Sequence, residues 1–180
     1  MSVRYHNFGG VIGWNLQKYF PMLSSDSYLK LQRSTRNKLQ KEYIDYFLST
    51  GEPPMPLVVN LETINRCNST CSFCTANKNA EKRPYKRMED SLFYSIIDQL
   101  AEWGYTGHLT LYGNNEPFLD TRIVEFHKYC REKLPHSFIF LSSNGLLLTV
   151  DKVKEIIPYV NQLIINNYCR DMKLHDNVRE

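Results

Sequence analysis

Cys67, Cys71 and Cys74 are the residues best suited to chemistry, in the run Cys67-Asn68-Ser69-Thr70-Cys71-Ser72-Phe73-Cys74. Three thiols at C-x3-C-x2-C spacing can turn toward a common centre, and thiolate sulfur is the soft donor that iron–sulfur clusters require. Structural zinc sites and ordinary clusters usually draw four protein ligands. A loop that offers three leaves one iron of a four-iron cluster open to a small molecule. Zinc bound with a distant fourth ligand is the rival reading. The remaining cysteines, Cys130 and Cys169, lie far along the chain. A tight odd-numbered group is unlike the evenly spread cysteines of small secreted scaffolds, and points to metal ligation in a reducing compartment. Asn68-Ser69-Thr70 matches a glycosylation sequon but sits inside the cysteine group, and it is discounted.

The elements that must position this loop follow from the hydrophobic pattern. Leu57 to Ile64 reads as a strand running into the cysteines. His108 to Tyr112, Ser137 to Ser142 and Gln162 to Ile165 read as three more. Between them lie helical patterns: one capped by Asp90, with Phe93, Ile96, Ile97 and Leu100 on one face and Gly104 as its stop; one opened by Asp120, with Ile123, Phe126, His127 and Cys130; and one opened by Asp151, with Val153, Ile156 and Ile157 inward. Strands alternating with helices make right-handed βαβ units and a parallel sheet. Working groups in such sheets gather at the carboxyl ends of the strands. Upstream, Asp26 to Ser49 has a helical pattern with Leu39, Tyr43 and Phe47 in phase, and Gly51 with Pro53, Pro54 and Pro56 ends it. The expected organisation is a helical extension over 1–56 and an α/β unit over 57–180.

The cysteine run, with Phe73 before its last member, resembles the signature of the radical SAM superfamily. That resemblance implies a partial (β/α) barrel, a 4Fe-4S cluster held by Cys67, Cys71 and Cys74, and S-adenosyl-L-methionine chelated at the open iron. Reductive cleavage of the sulfonium to a 5′-deoxyadenosyl radical is the implied activity, with an electron donor such as a flavodoxin or ferredoxin. Phe73 corresponds to the residue that meets the adenine. Gly113-Asn114-Asn115-Glu116-Pro117 resembles the family's Gly-Gly-Glu-Pro motif, which implies that Gly113, Asn115 and Glu116 support the methionine amino group. Asn114 and Asn115 depart from the pattern, standing where glycines usually stand. Ser142-Ser143-Asn144-Gly145 looks like the family's Thr-Asn-Gly turn, which brings Ser143 into the cofactor set. Asn166 and Asn167 end the fourth strand, where the family often holds the ribose, and Asn166 is the candidate. The family core has six strands; four are legible, so the core reads as truncated after the fourth. A fourth-strand edge left open in this way is expected to drive dimerisation or aggregation.

The loop style and long extension are similar to members that modify a peptide or protein, and such a substrate is the expectation. A non-catalytic iron–sulfur module or electron-transfer partner is the alternative. No catalytic side chain beyond the cofactor set is assigned. Cys130 and His127 read as packed core residues, and Cys169 as an inert thiol.

Composition sets outer limits. The chain has 180 residues, is 42% hydrophobic and 23% charged, and carries a net charge of +3. That is ordinary for a globular protein and too weak a charge to argue for nucleic acid. Lys78, Lys82, Arg83, Lys86 and Arg87 crowd one stretch, which reads as a solvated loop, with an anionic substrate or partner as the alternative. Gly9, Gly10 and Gly13 lack the strand before and the Lys-Ser/Thr after that a phosphate loop needs. The opening residues lack the apolar core of a signal peptide and no run would span a bilayer, so the expected location is cytoplasmic, with no membrane partner.

Overall fold

The computed structural model of the chain describes residues 25–71, 74 and 83–166. The chain divides into two compact units between Met55 and Pro56. In the first, helix α1 spans Ser25–Thr50. Exposed i,i+4 pairs, Lys38 with Glu42 and Lys41 with Asp45, run along it and contribute a few tenths of a kcal/mol each. Gly51 ends it with φ +73°, its N–H donating to the Phe47 carbonyl.

The second unit is a four-stranded, all-parallel sheet in the order β1-β2-β3-β4, with β1 at Val58–Asn60, β2 at His108–Thr110, β3 at Phe138–Ser143 and β4 at Gln162–Ile165. Helices α2 (Asp90–Glu102), α3 (Ile123–Lys133) and α4 (Val150–Ile156) make the crossovers. This is the parallel α/β arrangement that the alternating pattern predicts, and it is consistent with the partial barrel that the resemblance implies. Leu109, Ile139 and Leu141 from the strands meet Phe93 and Ile97 of α2 and Phe126 of α3 in one buried core. The rings of Phe93 and Phe126 stack at 3.8 Å between centroids. β3 alternates half-buried and buried residues, as a central strand with one covered face should. In β4, which pairs on one side among the described residues, all four are half-buried.

Several local expectations change. The apolar run expected as one strand from Leu57 to Ile64 leaves the sheet after Asn60. Thr63 and Ile64 are buried, but they face a returning segment rather than β2: Ile64 pairs antiparallel with Arg87, and Met88 N–H donates to the Thr63 carbonyl. Burial was legible there; the partner was not. Asp90 is the first residue of α2 and not its cap; Glu89 holds that position without a side-chain bond, and the Asp90 carboxylate is drawn to Arg87 and Arg122 instead. Gly104, at φ +68°, does terminate α2, with the Tyr105 N–H closing back on the Leu100 carbonyl. Asp120 precedes α3 by a short turn in which its carboxylate accepts from the Arg122 backbone and pairs with the Arg122 guanidinium at 2.8 Å. Thr149, not Asp151, caps α4, accepting from the Lys152 N–H. Ile157 is 36% exposed, because a 3-10 turn over Ile157–Tyr159, carrying Pro158, breaks the helical phase.

His127 and Cys130 are both fully buried on α3, as expected of packed core residues. His127 Nδ1 lies 2.7 Å from the Ile123 carbonyl, to which it must donate, while its Nε2 has no partner among the described residues. Burial without a counter-charge pushes the imidazole pKa down to about 4. Below an unfolded value near 6.5 the unfolded chain takes up a proton that the folded chain refuses until about pH 4. Stability therefore falls with pH across that window, by about 2 kcal/mol between pH 7.5 and pH 5 for this group alone. Urea denaturation at the two pH values should show a distinctly smaller loss in His127→Leu than in the parent; equal losses would remove His127 as the cause.

Candidate metal centre

The cysteine loop is clamped at its base before the first ligand is reached. Asn65 N–H donates to the Lys86 carbonyl, Asn65 Oδ1 accepts from Lys86 N–H at 2.9 Å, and Asn65 Nδ2 donates to the Pro84 carbonyl at 2.8 Å. The Arg66 guanidinium donates to the Arg83 carbonyl at 2.8 Å. Segment 83–88 thus fastens the residues just before the first cysteine. Cys67, Cys71 and Cys74 are free thiols, each half-buried, and Cys74 N–H donates to the Cys71 carbonyl at 3.1 Å. Burial raises the Cys71 thiol pKa, and the neighbouring Cys67 and Cys74 sulfurs raise it further. Negative sulfurs placed this close oppose one another unless a cation lies among them. Among the described residues no group of three or more His, Cys, Asp or Glu gathers around a single-ion position. A cubane takes each thiolate on a separate iron, so it does not need the convergence that tetrahedral zinc demands. The donor set fits a cluster of that kind. Phe73, Lys78, Lys82, Asn167 and Cys169 lie outside the described residues.

The loop after β2 crosses directly behind the first cysteine. Glu116 N–H donates to the Arg66 carbonyl at 2.9 Å. The Glu116 side chain is 1% exposed. Its Oε1 accepts from Ser143 Oγ at 2.8 Å and Phe118 N–H at 3.2 Å, and its Oε2 from Asn144 N–H at 2.8 Å. Desolvation moves its pKa above the usual carboxylate range; the three donors and the Lys152 ammonium restrain that rise. Asn115 Oδ1 accepts from Gly113 N–H at 2.9 Å, while the buried Asn115 Nδ2 has no partner among the described residues. A Cβ at Gly113 would sit 3.0 Å from Glu62 Oε2, so the Glu62 carboxylate would have to shift by a few tenths of an ångström to admit one. Glu62 was not anticipated from sequence. Its Oε2 accepts from Asn114 N–H at 2.7 Å and its Oε1 lies 3.5 Å from Arg83, so one carboxylate joins the ends of β1 and β2 to the clamp.

The third and fourth strand ends complete the group. Ser143 is buried and committed to Glu116. Gly145 takes φ +80°, which makes the turn out of β3 possible. Asn166 is half-buried, and its Nδ2 donates to Ser142 Oγ at 2.6 Å. The structure therefore brings Cys67, Cys71, Cys74, Gly113, Asn115, Glu116, Ser143 and Asn166 to the carboxyl edge of one sheet. It gives Glu116 and Ser143 internal partners that the sequence did not reveal.

Residues 61–166 match the radical SAM superfamily. The chain belongs to that superfamily. A curated relative, the S-adenosyl-L-methionine-dependent 2-deoxy-scyllo-inosamine dehydrogenase of Niallia circulans, is 22% identical over 99 residues, covering 55% of this chain and 39% of the relative. Among solved structures, BtrN in complex with AdoMet and 2-DOIA aligns with a TM-score of 0.60 at 18% identity, over 70% of this chain and 50% of BtrN. BtrN in an open conformation aligns with a TM-score of 0.58 at 18% identity, over 68% and 56%. This radical SAM chain thus shares the BtrN fold and spans roughly half or less of the length of these relatives. Among its described residues no helix is long and apolar enough to cross a membrane.

Glu116→Ala in the cluster-free chain would leave the Asn144 and Phe118 N–H groups buried without acceptors. Each such loss costs about 1–3 kcal/mol, offset in part by removal of a desolvated carboxylate. Denaturant unfolding should show a net loss of about 1–3 kcal/mol. Unchanged stability would mean that the bracket is not formed.

Proposed function

We propose that this chain carries the cluster- and cofactor-binding part of a radical SAM enzyme. The observation that supports this most directly is the clamped loop of three free, half-buried thiols at the carboxyl edge of a parallel sheet, in a chain of that superfamily. Cys67, Cys71 and Cys74 would hold a 4Fe-4S cluster. When bound, the cluster and S-adenosyl-L-methionine would supply a 5′-deoxyadenosyl radical by reductive cleavage, with the electron from a flavodoxin or ferredoxin.

The chain's own residues would orient the cofactor. Gly113 would let the backbone approach it, and Asn115 Nδ2, buried and without a partner among the described residues, would donate to it. Phe73 would meet the adenine and Asn166 the ribose; Asn166 would have to exchange its bond to Ser142 for one to the hydroxyls. Glu116, with three internal donors, fits the role of holding the loops in place better than that of a free counter-ion to the methionine ammonium. Ser143 would act through it. The non-catalytic iron–sulfur module is the alternative that the same loop could serve.

Two substrate classes follow from different observations. The cysteine-loop style and the long α1 extension favour a peptide or protein. The curated relative's name, a dehydrogenase of 2-deoxy-scyllo-inosamine, favours a small amino-polyol.

Anaerobic reconstitution should give about four irons per chain, with charge-transfer absorbance from cysteine-ligated iron. A Cys67→Ala, Cys71→Ala, Cys74→Ala triple variant should lose them. Reduced protein given S-adenosyl-L-methionine should release 5′-deoxyadenosine. Iron retained by the triple variant, or stoichiometric zinc in its place, would overturn the cluster; a stable cluster without 5′-deoxyadenosine would favour the module.

A further inference from the structure

Asn144 stands in the turn after β3, outside every role assigned above, yet it reaches the first cysteine. It is 6% exposed. Its Oδ1 accepts from Leu146 N–H at 2.9 Å. Because a backbone N–H can only donate, that bond fixes which end of the carboxamide is oxygen. The Nδ2 end therefore faces the cysteine loop. It lies 2.8 Å from Asn68 Oδ1, 3.0 Å from Ser69 Oγ and 3.8 Å from Cys67 Sγ. Two hydrogens serve three acceptors, all in the Cys67–Ser69 turn. The Asn144 backbone is itself held, its N–H donating to Glu116 Oε2 at 2.8 Å. A buried carboxylate thus fixes the asparagine, and the asparagine fixes the turn of the first ligand.

We propose that Asn144 is a positioning residue for the candidate cluster: its carboxamide pins the Cys67–Ser69 turn and sets an N–H beside the Cys67 sulfur. This rests on the cluster reading given above. Two consequences follow. A hydrogen bond to a ligand sulfur stabilises the more negative, reduced state of a cluster, so it raises the reduction potential. A fixed ligand turn retains metal, and loss of such outer partners typically lowers metal affinity by about 10–100-fold. A shorter or purely acceptor side chain at 144 would forfeit both.

The test uses the full chain reconstituted anaerobically. The midpoint potential is read by EPR-monitored titration without S-adenosyl-L-methionine, and the rate of cluster loss is read in excess iron chelator. Asn144→Asp keeps an acceptor for Leu146 N–H but turns an oxygen toward the three acceptors; Asn144→Ser keeps a short acceptor that cannot span to the loop. Circular dichroism establishes that each variant is folded. In a folded variant we expect a lower midpoint potential and cluster loss about tenfold faster or more. A potential equal to the parent's would overturn the proposal, because a merely structural asparagine would alter retention alone. Should neither variant fold, the Asn68→Ala, Ser69→Ala double variant decides. It leaves Cys67 Sγ as the acceptor for Nδ2, so a potential no lower than the parent's supports the proposal and a lower one overturns it. Failure of the parent chain to assemble any cluster would instead overturn the function proposed above, which keeps the two failures apart.

Discussion

The carboxyl edge of this sheet is organised around one buried carboxylate. Glu116 accepts from the loop after β3 through Ser143 and Asn144 and from its own loop through Phe118, while its backbone N–H donates to the residue preceding Cys67. Three strand ends, after β1, β2 and β3, therefore meet at one residue. A carboxylate suits this role because it has acceptor sites on both oxygens and no donor that would compete. Its desolvation is unfavourable, as the raised pKa indicates, and the hydrogen bonds from three directions offset it. Such a junction is high-stakes in a low-dielectric interior: complete, it fixes the loops; incomplete, it leaves buried donors unmet.

The same edge shows how a parallel sheet creates a site. Each strand points its carboxyl end the same way, and each loop that leaves it brings a different capability: thiols after β1, a backbone that approaches closely after β2, an amide-rich turn after β3 and a carboxamide after β4. The helices behind the sheet supply rigidity. The Phe93–Phe126 stack and the aliphatic residues around it lock α2 and α3 onto one face, and the loops inherit that fixed frame. Two further clamps, segment 83–88 across Asn65 and Arg66, and Glu62 between Asn114 and Arg83, hold the stretch that leads into the cysteine loop. Clamping matters for a loop of thiols because mutual repulsion of their anionic forms would otherwise spread them apart.

Superfamily membership and fold are consistent with one another across a low level of identity. At 18% identity the BtrN alignment carries the fold, and the four parallel strands of this chain lie in sequential order. The residues that differ from the usual superfamily pattern, Asn114 and Asn115, do so without dismantling the loop. One donates its backbone N–H to Glu62 and the other accepts from Gly113.

The sequence by itself determined the cysteine spacing, the alternation of strands and helices, and the burial of residues such as Phe93, Phe126, His127 and Cys130. These depend on local chemistry and on the 2- and 3.6-residue periods, which are written along the chain. It also determined that Gly51, Gly104 and Gly145 fall where elements end. Only the tertiary structure decided which partner each polar residue takes. Glu116 reads in sequence as a carboxylate available to a cofactor, but folding surrounds it with donors from two loops. Asp90 and Asp120 read as helix caps, yet Arg122 claims both carboxylates. Glu62 and Arg83 lie in no site motif, the Asn144 motif does not reveal its side-chain partners, and their roles arise because β1, β2 and β3 end side by side. Hydrophobic burial is non-directional and follows the local pattern. A hydrogen bond requires a particular atom at a particular place, and residues 76 positions apart, such as Asn144 and Asn68, acquire that relation only when the sheet has formed.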